Sequence, residues 1–375
     1  MTPPARPADP AVSQIADAAE DATAEAAVWS GEHAVVVGSA GATGPTPTGA
    51  NPIFADGARY HGWIRAIDAH GGSGWMRRFD TGREVHVRAA AVVGDEVVIA
   101  GEQRDGDARA YTGWVARIAP GGVERWRLEH LGAAGATGLQ AVAVRGDGSV
   151  AAGGMQRGKG WLVAIDPHGK LRWDHDLADL DEATAVMPIG DDFVMAGITG
   201  RTTTSAGTSR LTRIDATGAA RWSVTVPERG PGELFALAPL GDGGVAVGQA
   251  PGAGGRDGAW IVRFDAGGAI RASQVLPAKG SDSARAVAAT ADGGFVVAGS
   301  SFEAPQDRRA IVWRFDGANQ LVWRQAYGSG AFARGVAGAP DGGAVVVGAT
   351  QPAGAKLRSW IAGIDRGGTQ RWTAP

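Results

Sequence analysis

The sequence predicts an all-β protein, a seven-bladed β-propeller with four antiparallel strands in each blade. Three observations predict this fold. One unit recurs seven times along the chain, two columns of tryptophan keep their place in the unit, and each unit contains two hairpin patterns. Four-stranded units that cannot bury their faces alone are typical of propeller blades, which pack radially around a central channel.

The repeat is clearest in the second half of each unit. Segments such as WIRAIDAHGGSGW from Trp63, WVARIAPGGVERW from Trp114 and WLVAIDPHGKLRW from Trp161 align without a gap. A shared position, usually aspartate, recurs at steps of 51, 47, 49, 50, 51 and 49 residues. It is occupied by Asp68, Ala119, Asp166, Asp215, Asp265, Asp316 and Asp365. Of the 13 tryptophans, five lie in the column before this position and six in the column after it.

Each unit reads as two hairpins. The first is clearest in RAVAATADGGFVVAG (Arg285–Gly299) and RGVAGAPDGGAVVVG (Arg334–Gly348), where a short turn separates two runs of small and β-branched residues. The second contains Asp-x-x-Gly, in which aspartate caps a turn and glycine accepts a positive φ. We therefore expect four strands per blade, named a to d from the channel outwards, with the aspartate column serving as turn scaffold.

One propeller accounts for the chain after a leader rich in proline and alanine. The leader is assigned to 1–23 and the propeller to 24–375. The predicted blades are 24–80, 84–130, 137–178, 182–227, 233–277, 283–328 and 332–375. Because every blade is complete, we expect the ring to close by packing alone, with the leader either disordered or acting as a clasp. Departures from the tryptophan columns at Arg210, Ile311 and Ala272 predict less tightly packed blade contacts.

Composition and motifs exclude several classes of function. The formal net charge is −3 with no basic run, which disfavours nucleic-acid binding. With no cysteine, disulfides, thiolate nucleophiles and thiolate-ligated metals are excluded. No apolar window reaches the length of a membrane helix, and no phosphate-binding, zinc or calcium motif is complete. We expect no cofactor and no metal, and a monomer.

Both halves of the unit resemble a bacterial β-propeller repeat family with patterns such as DGNVYVTG and DAFVAKLDPSGxLVW. The resemblance covers Glu25–Trp372. The segment IDPHGKLRW (Ile165–Trp173) is also similar to the tryptophan-docking repeat of quinoprotein dehydrogenases, although those enzymes usually have eight blades. The first resemblance implies an exported protein, in the periplasm, at the cell surface or outside the cell, with a cytoplasmic protein as the alternative. Neither resemblance specifies a substrate.

One set of equivalent positions near the start of strand a varies while its neighbours repeat. Counted back from the a–b turn, these positions are Glu25, Arg88, Gln140, Thr184, Phe235, Arg285 and Arg334. Because strand a is innermost, we expect them to form a ring at one mouth of the channel. Arg285, Arg334, Glu25 and Arg88 lie on consecutive blades, and His86 is added because it lies two residues before Arg88 on the same strand.

Two functions follow from this candidate ring. The first is a non-catalytic binding or scaffold propeller that recognises a protein, peptide, glycan or small anionic ligand through the channel mouth and the variable b–c loops. The alternative is a cofactor-independent lyase, hydrolase or isomerase in the channel mouth, with Glu25 or His86 as general base. In both, the guanidinium groups hold negative charge through forked hydrogen bonds. In a third interpretation, Glu25 pairs with its arginine neighbours and stabilises the closed ring.

Overall fold

The structure is a computed structural model, and it describes residues 20–42, 59–79, 83–105, 110–135, 137–201, 207–226, 232–252, 254–303, 307–351 and 355–374. Within these residues, 28 strands form seven antiparallel sheets of four strands each. The seven-bladed β-propeller predicted from the repeat is thereby confirmed. No helix in the described part of the chain is long and apolar enough to cross a membrane.

The strands are numbered β1 to β28, four to a blade, in chain order. Blades one to three have the bounds Asp21–Ser30, His33–Ala42, Arg59–Asp68 and Ser73–Phe79; Arg83–Val93, Glu96–Asp105, Tyr111–Ala119 and Val123–Gly135; and Thr137–Val144, Val150–Gln156, Lys159–Ile165 and Leu171–Leu177. Blades four and five have the bounds Glu182–Ile189, Asp192–Thr199, Thr208–Ile214 and Ala220–Thr225; and Glu233–Leu240, Gly243–Pro251, Asp257–Phe264 and Ile270–Val275. Blades six and seven have the bounds Ser281–Ala289, Phe295–Phe302, Arg308–Phe315 and Leu321–Ser329; and Ala331–Gly338, Ala344–Thr350, Arg358–Ile364 and Gln370–Ala374.

The apolar cores lie between blades. Each of the seven cores in the described residues combines side chains from two neighbouring blades. Trp63, Trp114 and Trp161 of the first tryptophan column are fully buried in three of them. Where Ile311 replaces this tryptophan, Trp313 supplies a fully buried indole in the same core, so the expected loosening is not seen there. At Arg210 the core between blades three and four holds no fully buried tryptophan.

Tryptophans of the second column join five of the blades to the turn of the next blade. The Trp372 indole nitrogen donates to the Ala69 carbonyl across 2.8 Å, and its ring lies over Gly71, whose φ is 87°. A Cβ on Gly71 would lie 2.9 Å from that ring, which is why the turn requires glycine. Equivalent hydrogen bonds join Trp126 to Pro167, Trp173 to Ala216, Trp222 to Ala266 and Trp323 to Arg366.

The aspartate column is turn scaffold, as predicted. The Asp68 carboxylate accepts hydrogen bonds from the backbone N–H groups of His70 and Gly72, both at 2.8 Å. Asp166, Asp215, Asp265 and Asp365 repeat this arrangement. Blade two, which has Ala119 instead, forms a 3-10 turn at Pro120–Gly122.

Among the described residues the ring closes between blades seven and one without a borrowed strand, as predicted, but hydrogen bonds add to the packing there. The Ala22 N–H donates to the Leu357 carbonyl at 2.9 Å, and the Leu357 N–H donates to the Asp21 carboxylate at 2.6 Å. These bonds supplement an apolar core shared by the two blades. Strand β1 begins at Asp21, three residues before the predicted start of the propeller, and so takes part in the closure. Most of the predicted leader or clasp, 1–19, lies outside the described residues.

Candidate functional site

Every inner strand contains a β-bulge at the same place. In blade six, for example, Ala284 pairs with Gly299 and Ala286 pairs with Ala298, so that Arg285 is an extra residue without a partner on strand b. A bulge of this kind bends the strand locally and re-aims the extra side chain. The extra residues are Glu25, Arg88, Gln140, Thr184, Phe235, Arg285 and Arg334. These are the seven equivalent positions selected from the sequence.

A glycine on strand b accommodates each bulge. A Cβ on Gly299 would lie 1.8 Å from the Ser283 carbonyl oxygen, and one on Gly348 would lie 1.9 Å from the Phe332 carbonyl oxygen. Gly38, Gly101, Gly154 and Gly248 meet the equivalent carbonyl at 1.8–2.0 Å, whereas Gly197 of blade four meets it at 3.0 Å. The glycine that ends segments such as FVVAG is therefore required by the close approach of the bulged strand.

The seven bulge residues line one cavity of about 560 Å³, which we call the axial cavity. Because each blade contributes to it, the cavity lies on the axis of the ring. Four further residues line it, namely Glu102, Glu182, Arg201 and Glu233. Arg201 follows strand β14 at the start of a b–c connection, so the cavity reaches the face that carries these loops. Parts of the predicted b–c loops at 39–59, 199–209 and 300–309 lie outside the described residues, namely 43–58, 202–206 and 304–306.

Glu25 is buried between two arginines. Its carboxylate lies 3.2 Å from Arg334 and 3.9 Å from Arg88, and it accepts a 2.7 Å hydrogen bond from the Thr23 hydroxyl. Burial raises the pKa of Glu25, but the two guanidinium groups and Thr23 outweigh burial and lower the pKa below its ordinary value. Glu25 is therefore a charged carboxylate and a weak proton acceptor, and it links blades seven, one and two.

Arg88 is paired with an acid that the sequence reasoning missed. Its guanidinium donates to one Glu102 oxygen, from Nη2 at 2.6 Å and from Nε at 3.2 Å. Glu102 is on strand b, and it reaches the cavity because Gly138 of the next blade leaves space. A Cβ on Gly138 would lie 2.3 Å from the Glu102 carboxylate. The signal in the sequence was an acid directly after an apolar strand-b run, VVIAGE.

Arg201, also missed, connects two carboxylates on neighbouring blades. It donates to Glu182 at 2.6 Å and to Glu233 at 2.8 Å, and one oxygen of each carboxylate has no partner among the described residues. Burial lowers the pKa of Arg201, but the two carboxylates outweigh burial and raise it. Glu182 and Glu233 each lie two residues before a bulge residue, on the same strand. Comparing the units at that position as well would have found both acids.

Arg285 differs from the other cavity arginines. Among the described residues it has no carboxylate within ion-pair distance; its contacts are the Ser283 hydroxyl at 3.3 Å and the Phe235 ring, 4.0 Å from its guanidinium carbon. Burial in the cavity wall and then the like charge of Arg334 lower the pKa of Arg285 to about 10. The Arg285 guanidinium stays cationic at neutral pH, and a negative charge placed beside it in the cavity would be stabilised.

The remaining bulge residues are neutral. Thr184 donates its hydroxyl hydrogen to the Leu234 carbonyl at 2.7 Å, which ties blade four to blade five. The Gln140 side chain is exposed to the cavity. Phe235 supplies the aromatic face under Arg285. The cavity thus combines charged, amide, hydroxyl and aromatic groups, as ligand sites commonly do.

His86 lies outside the lining of the axial cavity. It is 2% exposed, its Nε2 lies 3.2 Å from the Glu84 carboxylate, and its ring packs between Tyr60 and Tyr111. Alternation along strand a placed His86 and Arg88 together, but the aromatic contacts and Glu84 hold the imidazole in the interface between blades one and two. A role for His86 in ligand binding remains a prediction from the sequence.

Comparison with known proteins supports the fold. No family model matches the chain, and no curated protein matches it. Among solved structures, a streptogramin B lyase aligns with a TM-score of 0.55 at 13% identity, covering 89% of this chain and 92% of that chain. The β-propeller domain of the trilobed protease from Pyrococcus furiosus, described as having an open velcro topology, aligns at 0.52 and 10% identity, covering 91% and 93%. A puromycin hydrolase aligns at 0.54 and 15% identity, covering 92% of this chain and 52% of that chain.

At these identities the similarity shows that the chains share the propeller fold. In this protein each of the seven sheets is one continuous stretch of chain, and its strands follow the order of the sequence. Among the described residues, the first and last blades therefore exchange no strand. The candidate site has to be interpreted from its own geometry.

Proposed function

We propose that this protein is a binding propeller that holds an anionic group of its ligand in the axial cavity, with Arg285 as the principal contact and Arg334 beside it. The observation that supports this most directly is the state of Arg285. It is a cavity-lining guanidinium without a carboxylate partner among the described residues, and it rests on an aromatic ring. A carboxylate, phosphate or sulfate group on a small ligand, peptide or glycan has the required chemistry.

The energetic argument rests on charge compensation. Arg88 and Arg201 each have a carboxylate within 2.6 Å, whereas Arg285 has the like charge of Arg334 as a neighbour. An incoming anion would relieve this repulsion and would accept forked hydrogen bonds from the guanidinium. The Phe235 ring restrains the guanidinium before the ligand arrives, which reduces the entropy lost on binding.

The environments of the acid–base candidates favour binding over turnover. The pKa of Glu25 is lowered by Arg334 and Arg88 despite burial, so its carboxylate is a weaker general base than an ordinary glutamate. His86 is buried against Glu84 outside the cavity lining. The enzyme alternative would need another general base from the described cavity residues, and the candidates there are carboxylates that already accept hydrogen bonds from arginine.

The test is thermal unfolding of the purified protein against inorganic phosphate, sulfate, simple carboxylates, nucleotides, acidic sugars and acidic peptides. At a hundredfold excess over the dissociation constant, a ligand adds about 2.7 kcal/mol of stability. For a chain of this size that corresponds to a rise in melting temperature of about 3 to 4 °C.

The informative variant is Arg285→Gln, and the matched control is Arg172→Gln, the same substitution at an exposed position on strand β12 outside the axial cavity. We expect Arg285→Gln to unfold within about 0.5 kcal/mol of the wild type, because it removes a charge from an unfavourable field, and to lose the ligand-induced shift. The control should keep the shift. A shift that persists in Arg285→Gln, or no shift with any compound, would overturn the proposal.

A further inference from the structure

The axial cavity carries opposite excess charges on neighbouring blades. On blades four and five, Glu182 and Glu233 share the single guanidinium of Arg201, which leaves one negative charge in excess. On blade six, Arg285 has no carboxylate within ion-pair distance among the described residues, which leaves one positive charge in excess. Glu25 and Glu102 offset Arg334 and Arg88 on the remaining charged part of the wall.

Two arginines in the same cavity show this polarity. Nearby carboxylates raise the pKa of Arg201, whereas burial and Arg334 lower the pKa of Arg285. The difference agrees with the contacts, because Arg201 touches two acids and Arg285 touches a phenyl ring and a hydroxyl. Arg308 adds a further positive charge on the side of blade six, where its guanidinium lies 3.7 Å from the Phe332 ring.

The acidic side can accept a cation. One oxygen of Glu182 and one of Glu233 accept from Arg201, and the second oxygen of each has no partner among the described residues. Both carboxylates line the cavity, so these second oxygens are available to a donor inside it. An ammonium group, which has three donors and a compact charge, suits such a pair of acceptors.

We infer that the ligand is dipolar, with an anionic group held by Arg285 and Arg334 and a cationic group, such as a primary ammonium, held by Glu182 and Glu233. Small amino acids and short peptides with free termini belong to this class. This inference rests on the proposed function and specifies its ligand. A ligand with negative charge alone would be attracted by Arg285 but repelled by Glu233 on the neighbouring blade.

The ligand class can be tested with matched series of compounds. The first series is glycine, β-alanine, aminobutanoate and aminohexanoate, in which the distance between ammonium and carboxylate increases. The second series is the corresponding carboxylates without the amino group. We expect one member of the amino acid series to bind at least about tenfold more tightly than its matched carboxylate in isothermal titration calorimetry.

Two variants identify the groups responsible. Glu233→Gln should weaken binding of the preferred amino acid about tenfold while leaving binding of the matched carboxylate unchanged or stronger. Arg285→Gln should weaken both, and Arg172→Gln, on the outer strand of blade three, should weaken neither. Equal affinity for the two series would overturn the dipolar ligand, as would an equal loss of both compounds in Glu233→Gln. If carboxylates still bound in an Arg285-dependent way in either case, the proposed anion site would stand.

Discussion

Replacing Gly299 by alanine is expected to disrupt the bulge that carries Arg285 into the axial cavity. The added Cβ would lie 1.8 Å from the Ser283 carbonyl oxygen, 2.9 Å from its carbonyl carbon and 3.0 Å from the Ala284 Cα atom. These neighbours are backbone atoms, so no side-chain rotation can relieve the contact. The two strands must separate, or the bulge must be lost and the register of strand β21 must change.

The expected destabilisation follows from this geometry. Overpacking against rigid structure costs about 1–3 kcal/mol, and each strand hydrogen bond broken adds about 1 kcal/mol. A loss of about 3 kcal/mol or more is therefore expected for Gly299→Ala. For a chain of 375 residues, the entropy of unfolding is about 0.8 kcal/mol per kelvin, so the melting temperature should fall by about 4 °C.

The matched control is Gly146→Ala. Gly146 has no atom within 4 Å of the position of a Cβ and has no positive φ, so alanine should be neutral or stabilising by about 0.5 kcal/mol. Both variants would be followed by circular dichroism and tryptophan fluorescence during heating, together with the binding assay for the cavity. A Gly299→Ala protein that melts within about 1 °C of the wild type and keeps Arg285-dependent binding would refute the steric argument.

Three further changes test the interactions around the ring. Trp323→Phe keeps an aromatic ring, though one smaller than indole, and removes the 3.0 Å hydrogen bond to the Arg366 carbonyl; urea unfolding should show a loss of about 1 kcal/mol. Asp292→Asn should cost about 2 kcal/mol at pH 7, because it removes the carboxylate beside buried Arg314 but leaves the hydrogen bonds of Arg314 to the Phe295 and Phe315 carbonyls. Hydrogen bonds from Arg314 lower the pKa of Asp292 in the folded protein. The contribution of Asp292 to stability is therefore complete above the ordinary carboxyl pKa and is lost as the pH falls below it towards the folded pKa. If Asp292→Asn cost as much at pH 3 as at pH 7, this pH dependence would be contradicted. Arg201→Gln should lower the free energy of unfolding by about 2 kcal/mol, because it leaves Glu182 and Glu233 without the cation they share. An unchanged free energy of unfolding would contradict that pairing.

The fold was predictable because the repeat specifies the same local structure seven times. The turn aspartates, the glycines after them and the two tryptophan columns all occupy the positions that the blade geometry requires. The ring of bulge residues was also predictable, although the bulge itself was not recognised. Every inner strand carries the same single extra residue, so alignment of the units kept equivalent positions together.

The rest of the site depends on contacts between blades that no single unit encodes. Glu102 enters the cavity from strand b because a glycine on the next blade leaves space for it. Arg201 belongs to a connection and reaches two acids that are 51 residues apart in sequence. His86 satisfied the alternation rule, yet its aromatic neighbours and Glu84 determine where the imidazole lies. The positions of these three side chains depend on packing between blades in three dimensions.

The bulge with its facing glycine separates the residue that lines the axial cavity from the residues that maintain the blade. Glutamate, arginine, glutamine, threonine and phenylalanine all occupy the extra position in this one protein, on backbones that share the same strand pairing. The interblade cores use other positions of the same strands. The axial surface can therefore change its chemistry one blade at a time during evolution or design, while the glycine opposite each bulge has to be retained.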